Sequence, residues 1–215
     1  VKISGAGRTD AGVHATGQVV SFSTAARFPF DRLVIALNSM LADDLSVRDC
    51  AVVDAGFSAR FSALERTYVY AILARPEPSA LLARYAYHVW TPLDVVPMQR
   101  GAKQLLGERD FRSFCATLPE GGVTVRNVRR LEIERRGQTL RIEIAADGFL
   151  HRMVRTIVGT LVECGSGRRD PAEIPQMLET RERAAAGHTA PPQGLYLAGV
   201  RFEGYDSFAE PPMFC

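Results

Sequence analysis

One carboxylate, Asp10, follows Arg8 and Thr9 in a bend that also holds Gly5, Gly7 and Gly12, between two strand-like runs. An acid held up by backbone that can turn sharply suits covalent or proton-transfer chemistry. It suits an exposed turn equally well. Two other loop chemistries fail on spacing. A dinucleotide loop reads G-x-G-x-x-G and opens a helix, whereas here the glycines lead into the strand-like Gln18, Val19, Val20, Ser21, Phe22 and Ser23. A phosphate loop needs Lys-Ser/Thr after its last glycine, and Val13-His14 stand there instead.

Two more side chains qualify. Tyr68 lies in a strand expected over residues 66–73, rich in Thr and aromatics, where a half-buried ring and a catalytic phenol are both compatible. Arg155 falls on a helix expected over residues 149–164 and stopped by Gly165. Phe149, Met153, Ile157 and Leu161 form one apolar row, with Leu150, Val154, Val158 and Val162 beside it. Arg155 sits at the edge of that stripe, and Arg152 is expected to point well away. A guanidinium at such an edge is either solvated or paired with a carboxylate, a bidentate pair being the strongest arrangement.

These candidates lie on separate elements. Leu33, Val34, Leu37 and Leu41 recur at helical spacing after Pro29, and residues 45–53 read as a strand. A proline-bearing loop spans 76–83, and a helix is expected over 95–106, ending at Gly107. Two alternating strands, one with Leu131 and Ile133 and one with Leu140, Ile142 and Ile144, meet at a hairpin turn of Gly137-Gln138. A short helix over 171–180, a mobile segment over 184–193, a last strand over 195–202 and a loose tail complete the pattern. Helices set against a mostly antiparallel sheet define an α+β class.

Composition narrows the chemistry. Of 215 residues 47% are hydrophobic and 23% charged, ordinary for a globular protein with a substantial core. No apolar run nears the roughly 20 residues of a membrane span, so no membrane partner is expected. Cys50, Cys115, Cys164 and Cys215 are scattered without a C-x-x-C pair, as are His14, His88, His151 and His188. No metal site is expected, and reduced thiols point to a cytoplasmic protein. Net charge is only +2, but residues 126–155 carry eight arginines against Glu132, Glu134, Glu143 and Asp147. This local excess predicts a concentrated basic surface for an anionic partner.

Four motifs, in order over almost the whole chain, resemble tRNA pseudouridine synthases of the TruA type. They are Arg8-Thr9-Asp10-x-Gly12-Val13-His14-Ala15 with Gly17-Gln18-Val19, then Arg66-x-Tyr68-x-Tyr70. Gly148-Phe149-Leu150 through Met153-Val154-Arg155-x-Ile157-Val158-Gly159 follows, and Ala190-Pro191-x-x-Gly194-Leu195-x-Leu197 closes the set. The resemblance implies two mostly antiparallel, ferredoxin-like α/β sandwiches with a catalytic cleft between them. On that frame residues 1–56 form an N-terminal half-domain carrying the Asp10 loop, 57–203 a C-terminal domain and 204–215 a tail.

It further implies isomerisation of uridine to pseudouridine at positions 38, 39 and 40 of the tRNA anticodon stem-loop, by a cytoplasmic homodimer that uses no cofactor. Asp10 would be the nucleophile, at the ribose C1′ or on the base. Arg155 would pair with Asp10 and aim it, and Tyr68 would stack on the uracil and help remove its C5 proton. Val154 and Leu195 would wall the pocket, and Arg8 would fill the space left by the flipped uridine. The sequence departs from the pattern in two ways. The family's upstream strand with its Tyr-Asp-Gly and Gly-Trp-Gln motifs, and the helix after it, are not found, so the first half is expected to be truncated with an open strand edge beside residues 1–4. Arg109 stands where the family often has histidine.

Overall fold

The structure, a computed structural model, describes residues 1–26 and 29–214. Its centre is strand β4 (Glu65–Ala74), the Thr- and aromatic-rich run anticipated from sequence. β4 pairs antiparallel with β8 (Thr139–Ala146) on one side and with β9 (Leu195–Phe202) on the other. β7 (Val125–Arg136) joins β8 through a hairpin at Gly137, whose φ of 60° is the left-handed value such a turn demands. β6 (Gly107–Asp110) and β10 (Tyr205–Asp206) close the two ends, giving the order β10-β9-β4-β8-β7-β6. Two short strands add parallel pairings, β2 (His14–Ala15) to β9 and β5 (Tyr87–Val89) to β4. The class is α+β, as expected.

Alternation along β4 divides its side chains between the two faces. Tyr68, Tyr70 and Ile72 enter the main core with Ile142, Ile144, Leu195 and Leu197. Helices α2 (Val95–Gln104) and α3 (Met153–Gly165) cover that face through Met98, Met153, Ile157 and Leu161, each buried. Asp94 caps α2 by accepting a hydrogen bond from the Val96 amide at 2.9 Å. A short helix, α4 (Ile174–Thr180), adds Ile174 and Met177 to the same core.

The N-terminal residues are built differently. β1 (Ile3–Gly5) pairs with β3 (Val20–Phe22) in a separate two-stranded sheet, and α1 (Phe30–Asn38) follows. Among the described residues no further strand pairs with β1. The segment docks on β9 through the amides of Thr16 and Gly17, which both donate to the Leu197 carbonyl at 3.0 Å. Gly17 permits that approach, because a Cβ there would lie 2.1 Å from the Ala198 carbonyl oxygen.

Three expectations need correction. Residues 45–53 form no strand: the Asn38 side chain donates to the Val47 carbonyl and accepts from its amide, so those groups are satisfied without a ladder, and Val52 and Val53 stay exposed. The main helix begins at Met153 rather than near 149, because Arg152 adopts φ 61°, a left-handed conformation that no helix interior allows. Residues 184–193 are strapped to α3 rather than loose. The Ala190 amide donates to the Arg155 carbonyl, the Gly187 amide to Thr160 Oγ1 and the Tyr70 hydroxyl to the Pro191 carbonyl. Gly159 makes room for the strap, since a Cβ there would fall 1.8 Å from the His188 carbonyl oxygen.

Candidate active site

A cleft of about 720 Å³ opens between the Asp10 loop, the start of β4, the residues before β7 and the N-terminus of α3. Arg8, Asp10, Tyr68, Val154, Arg155 and Leu195, six residues picked out from four separate motifs, all line it. The Asp10 loop is closed on itself by Gln18, whose amide donates to the Gly7 carbonyl at 2.8 Å. A turn, with the Val13 amide donating to the Asp10 carbonyl at 3.1 Å, lifts the carboxylate over the cleft.

Arg155 donates from Nη1 to Asp10 Oδ2 at 2.7 Å and from Nε to the Ala190 carbonyl at 2.7 Å. The strap over α3 thus fixes one edge of the guanidinium and leaves another for the carboxylate. A charge-assisted bond this short to a mostly buried arginine sets the orientation of the acid. Asp10 Oδ1 is not engaged by Arg155; His151 Nε2 lies 3.5 Å from it. Arg152 Nε stands 3.8 Å from Oδ2. These two neighbours escaped the sequence reading because a helical wheel was drawn through residues that are not helical. The left-handed turn at Arg152 swings its side chain back toward the acid that the wheel directs it away from.

Tyr68 lies beneath the loop. A Cβ on Gly7 would meet its hydroxyl oxygen at 3.5 Å, and its ring packs edge-on to Phe149 with centroids 5.0 Å apart. Burial pushes the phenol up to about 12; Arg66 pulls it the other way, and the Asp10 charge adds to the rise. The ring therefore keeps its proton at neutral pH. Among the described residues no side chain or carbonyl hydrogen-bonds to its hydroxyl, which faces the cleft. Val154 and Leu195 are buried apolar wall, and Arg8 is exposed on the rim.

Arg66, part of the Arg-x-Tyr-x-Tyr motif, has a structural task that its sequence did not announce. Its guanidinium donates to the carbonyls of Ala6, Arg60, Ala63 and Asp147. Those carbonyls belong to the Asp10 loop, the connector before β4 and the turn after β8. One side chain therefore ties three walls of the cleft together. His14, another motif residue, lies away from the cleft, stacked between Tyr85 and Tyr196 and bonded to the Arg84 carbonyl.

The arginine-rich stretch from 126 to 155 divides in two. Arg129, Arg130, Arg136 and Arg141 pair with Glu65, Glu143, Glu134 and Glu210 on the sheet. Only Arg126, Arg152 and Arg155 of that stretch reach the cleft, where Arg8, Arg60 and Arg66 join them. Six guanidinium groups thus face one carboxylate, Asp10, and the field in the cleft is that of an anion site.

An α+β sheet with a guanidinium-held acid in a basic cleft describes an enzyme for a polyanionic substrate. The sequence pattern of the family described as tRNA pseudouridine synthase matches residues 102–203. The tRNA pseudouridine synthase A of Halalkalibacterium halodurans is 47% identical over 91% of this chain and 74% of its own length. Those of Acetivibrio thermocellus and Bacillus subtilis are 46% and 42% identical, each over 94% of this chain and 83% and 82% of their own lengths. The chain belongs to the tRNA pseudouridine synthase family.

Proposed function

We propose that this protein isomerises uridine to pseudouridine at positions 38, 39 and 40 of the tRNA anticodon stem-loop, with Asp10 as the group that bonds covalently to substrate. The observation that carries the reading is the Asp10–Arg155 contact of 2.7 Å inside a cleft lined by six arginines. In the reaction the N1–C1′ bond breaks, the uracil turns, and C5 bonds to C1′. The C5 proton leaves to solvent and N1 ends protonated, so nothing is oxidised or reduced. The Asp10 carboxylate bonds to C1′ or to the base and is later released intact. Arg155 keeps one oxygen in place while the other is presented to substrate.

Tyr68 stacks on the uracil and offers its free hydroxyl as a donor. With its proton held by burial, it serves as donor first and becomes a base only if another group takes that proton. Val154 and Leu195 keep water from the severed bond. Arg8 enters the space left by the flipped nucleotide, and the remaining arginines hold phosphates of the folded RNA. Two copies are proposed to act together in the cytoplasm, and no cofactor takes part in this scheme.

The test uses tRNA labelled with tritium at uridine C5. Release of tritium by the native protein, lost in Asp10→Ala with RNA binding kept, supports the reading. Tight binding without release by the native protein would instead make it an RNA-binding module. Sedimentation of the native protein tests the pairing of copies.

A further inference from the structure

We propose that Phe61 is a stacking platform for the nucleobase next to the reacting uridine, with the Arg60 guanidinium on that nucleotide's phosphate. This rests on the function proposed above and adds a contact that the resemblance does not supply. Phe61 lines the cleft with 80% of its surface exposed, and it belongs to neither apolar core of the fold. A phenyl ring left in water contributes nothing to folding by burial, so its exposure needs another account.

The backbone beneath the ring is held on every side. Ala59 is fully buried and its amide donates to Ser21 Oγ at 3.0 Å. The Ser62 amide donates to the Ser58 carbonyl at 2.8 Å, and Ser62 Oγ accepts from the Ser58 amide at 3.1 Å. Arg66 holds the carbonyls of Arg60 and Ala63. The ring is therefore presented rigidly at the lip, so little ordering entropy is lost when a ligand covers it. The Arg60 guanidinium lies 5.2 Å from the ring centroid, so a flat cation and a flat ring stand together. Leu118, partly exposed, faces the same cleft from the segment before β7.

The occupant follows from chemistry. A cleft with six guanidinium groups and one acid selects an anion, and an exposed ring beside a guanidinium selects a planar group attached to that anion. An RNA nucleotide is both. Extruding one uridine also uncovers the face of its neighbour, and a rigid aromatic ring at the lip recovers the lost stacking.

The experiment measures RNA affinity, tritium release and the fluorescence of 2-aminopurine placed beside the target uridine in an anticodon stem-loop. Binding to the native protein should leave the probe quenched by the ring. Phe61→Leu, which keeps an apolar side chain but removes the π-face, should brighten the probe and weaken binding on the order of 10- to 100-fold. Its melting temperature should stay at the native value, and Phe61→Trp should retain native affinity. Native binding by Phe61→Leu, or a bright probe on the native protein, would overturn the proposal. So would a change from dimer to monomer in Phe61→Leu, because the ring would then cover a second copy. Absence of tritium release from the native protein itself would count against the synthase reading, while the quenching would still decide whether the ring stacks.

Discussion

Of the described residues up to Leu64, only Ala6, Gly17 and Ala59 are buried. From Glu65 onward β4, β7, β8, β9, α2, α3 and α4 all send side chains into a common core. Yet the cleft draws on both regions. Asp10 stands on the first, and Tyr68, Val154, Arg155 and Leu195 on the second. The acid is placed by docking: two amides on the Leu197 carbonyl, Thr16 Oγ1 on the Ala209 carbonyl, Ser207 Oγ on the Gly17 carbonyl and the Arg66 fan. Its partners are placed by packing. A site assembled this way can lose its acid by local opening while most of the protein stays folded.

The comparison is open to attack from both sides. The largest effect is expected from Ile142→Ala, fully buried in the sheet, which should cost about 2–5 kcal/mol of global stability in denaturant titrations. Next comes Arg66→Ala, where misplacement of three walls should lower the rate of tritium release about 100-fold. Lysine should not restore it, because one ammonium cannot reproduce a planar fan of donors. Gly17→Ala should cost about 1–3 kcal/mol through collision with the Ala198 carbonyl, felt only in the docking of the first region. Hydrogen exchange should then quicken before residue 65 and stay slow in β4 and β8. If Gly17→Ala lowers the global midpoint as far as Ile142→Ala does, the two regions are one cooperative unit and the contrast fails.

The smallest effect concerns alkaline pH. Burial raises Tyr68 from 10.0 to about 12, so the unfolded chain releases this proton first. Its contribution is complete below pH 10 and is lost as pH climbs toward 12. Tyr196, also raised to about 12 by burial, acts in the same direction. Stability measured across that window should fall for the native protein and fall less steeply for Tyr68→Phe. An unchanged slope in that variant would mean that the phenol is solvated, and the packed side of the cleft less tightly built than described.

Sequence was most legible where packing decides. The rows of α3 and the alternation of β4, β7 and β8 repeat because each faces one core, and the structure follows them. The pairing of Asp10 with Arg155 was within reach because an arginine at the edge of an apolar stripe calls for a partner. Legibility ended where hydrogen bonds decide. Residues 45–53 have strand-like composition, but the Asn38 amide takes the backbone groups of Val47 that a ladder would use. The approach of His151 and Arg152 to Asp10 depends on one left-handed residue, and no periodicity reports a single φ. The division of the basic stretch was hidden too, since the partners Glu65 and Glu210 lie far away in the chain.

The Arg66 fan has a consequence for anyone reshaping this enzyme. Carbonyls from before β4, after β8 and four residues ahead of Asp10 converge on one cation, so none of these loops can be lengthened or exchanged alone. A graft that displaces one of them transmits its shift to the other two. The mouth of the cleft is a single inherited part, and variation in substrate choice has to come from the side chains it displays, not from its loops.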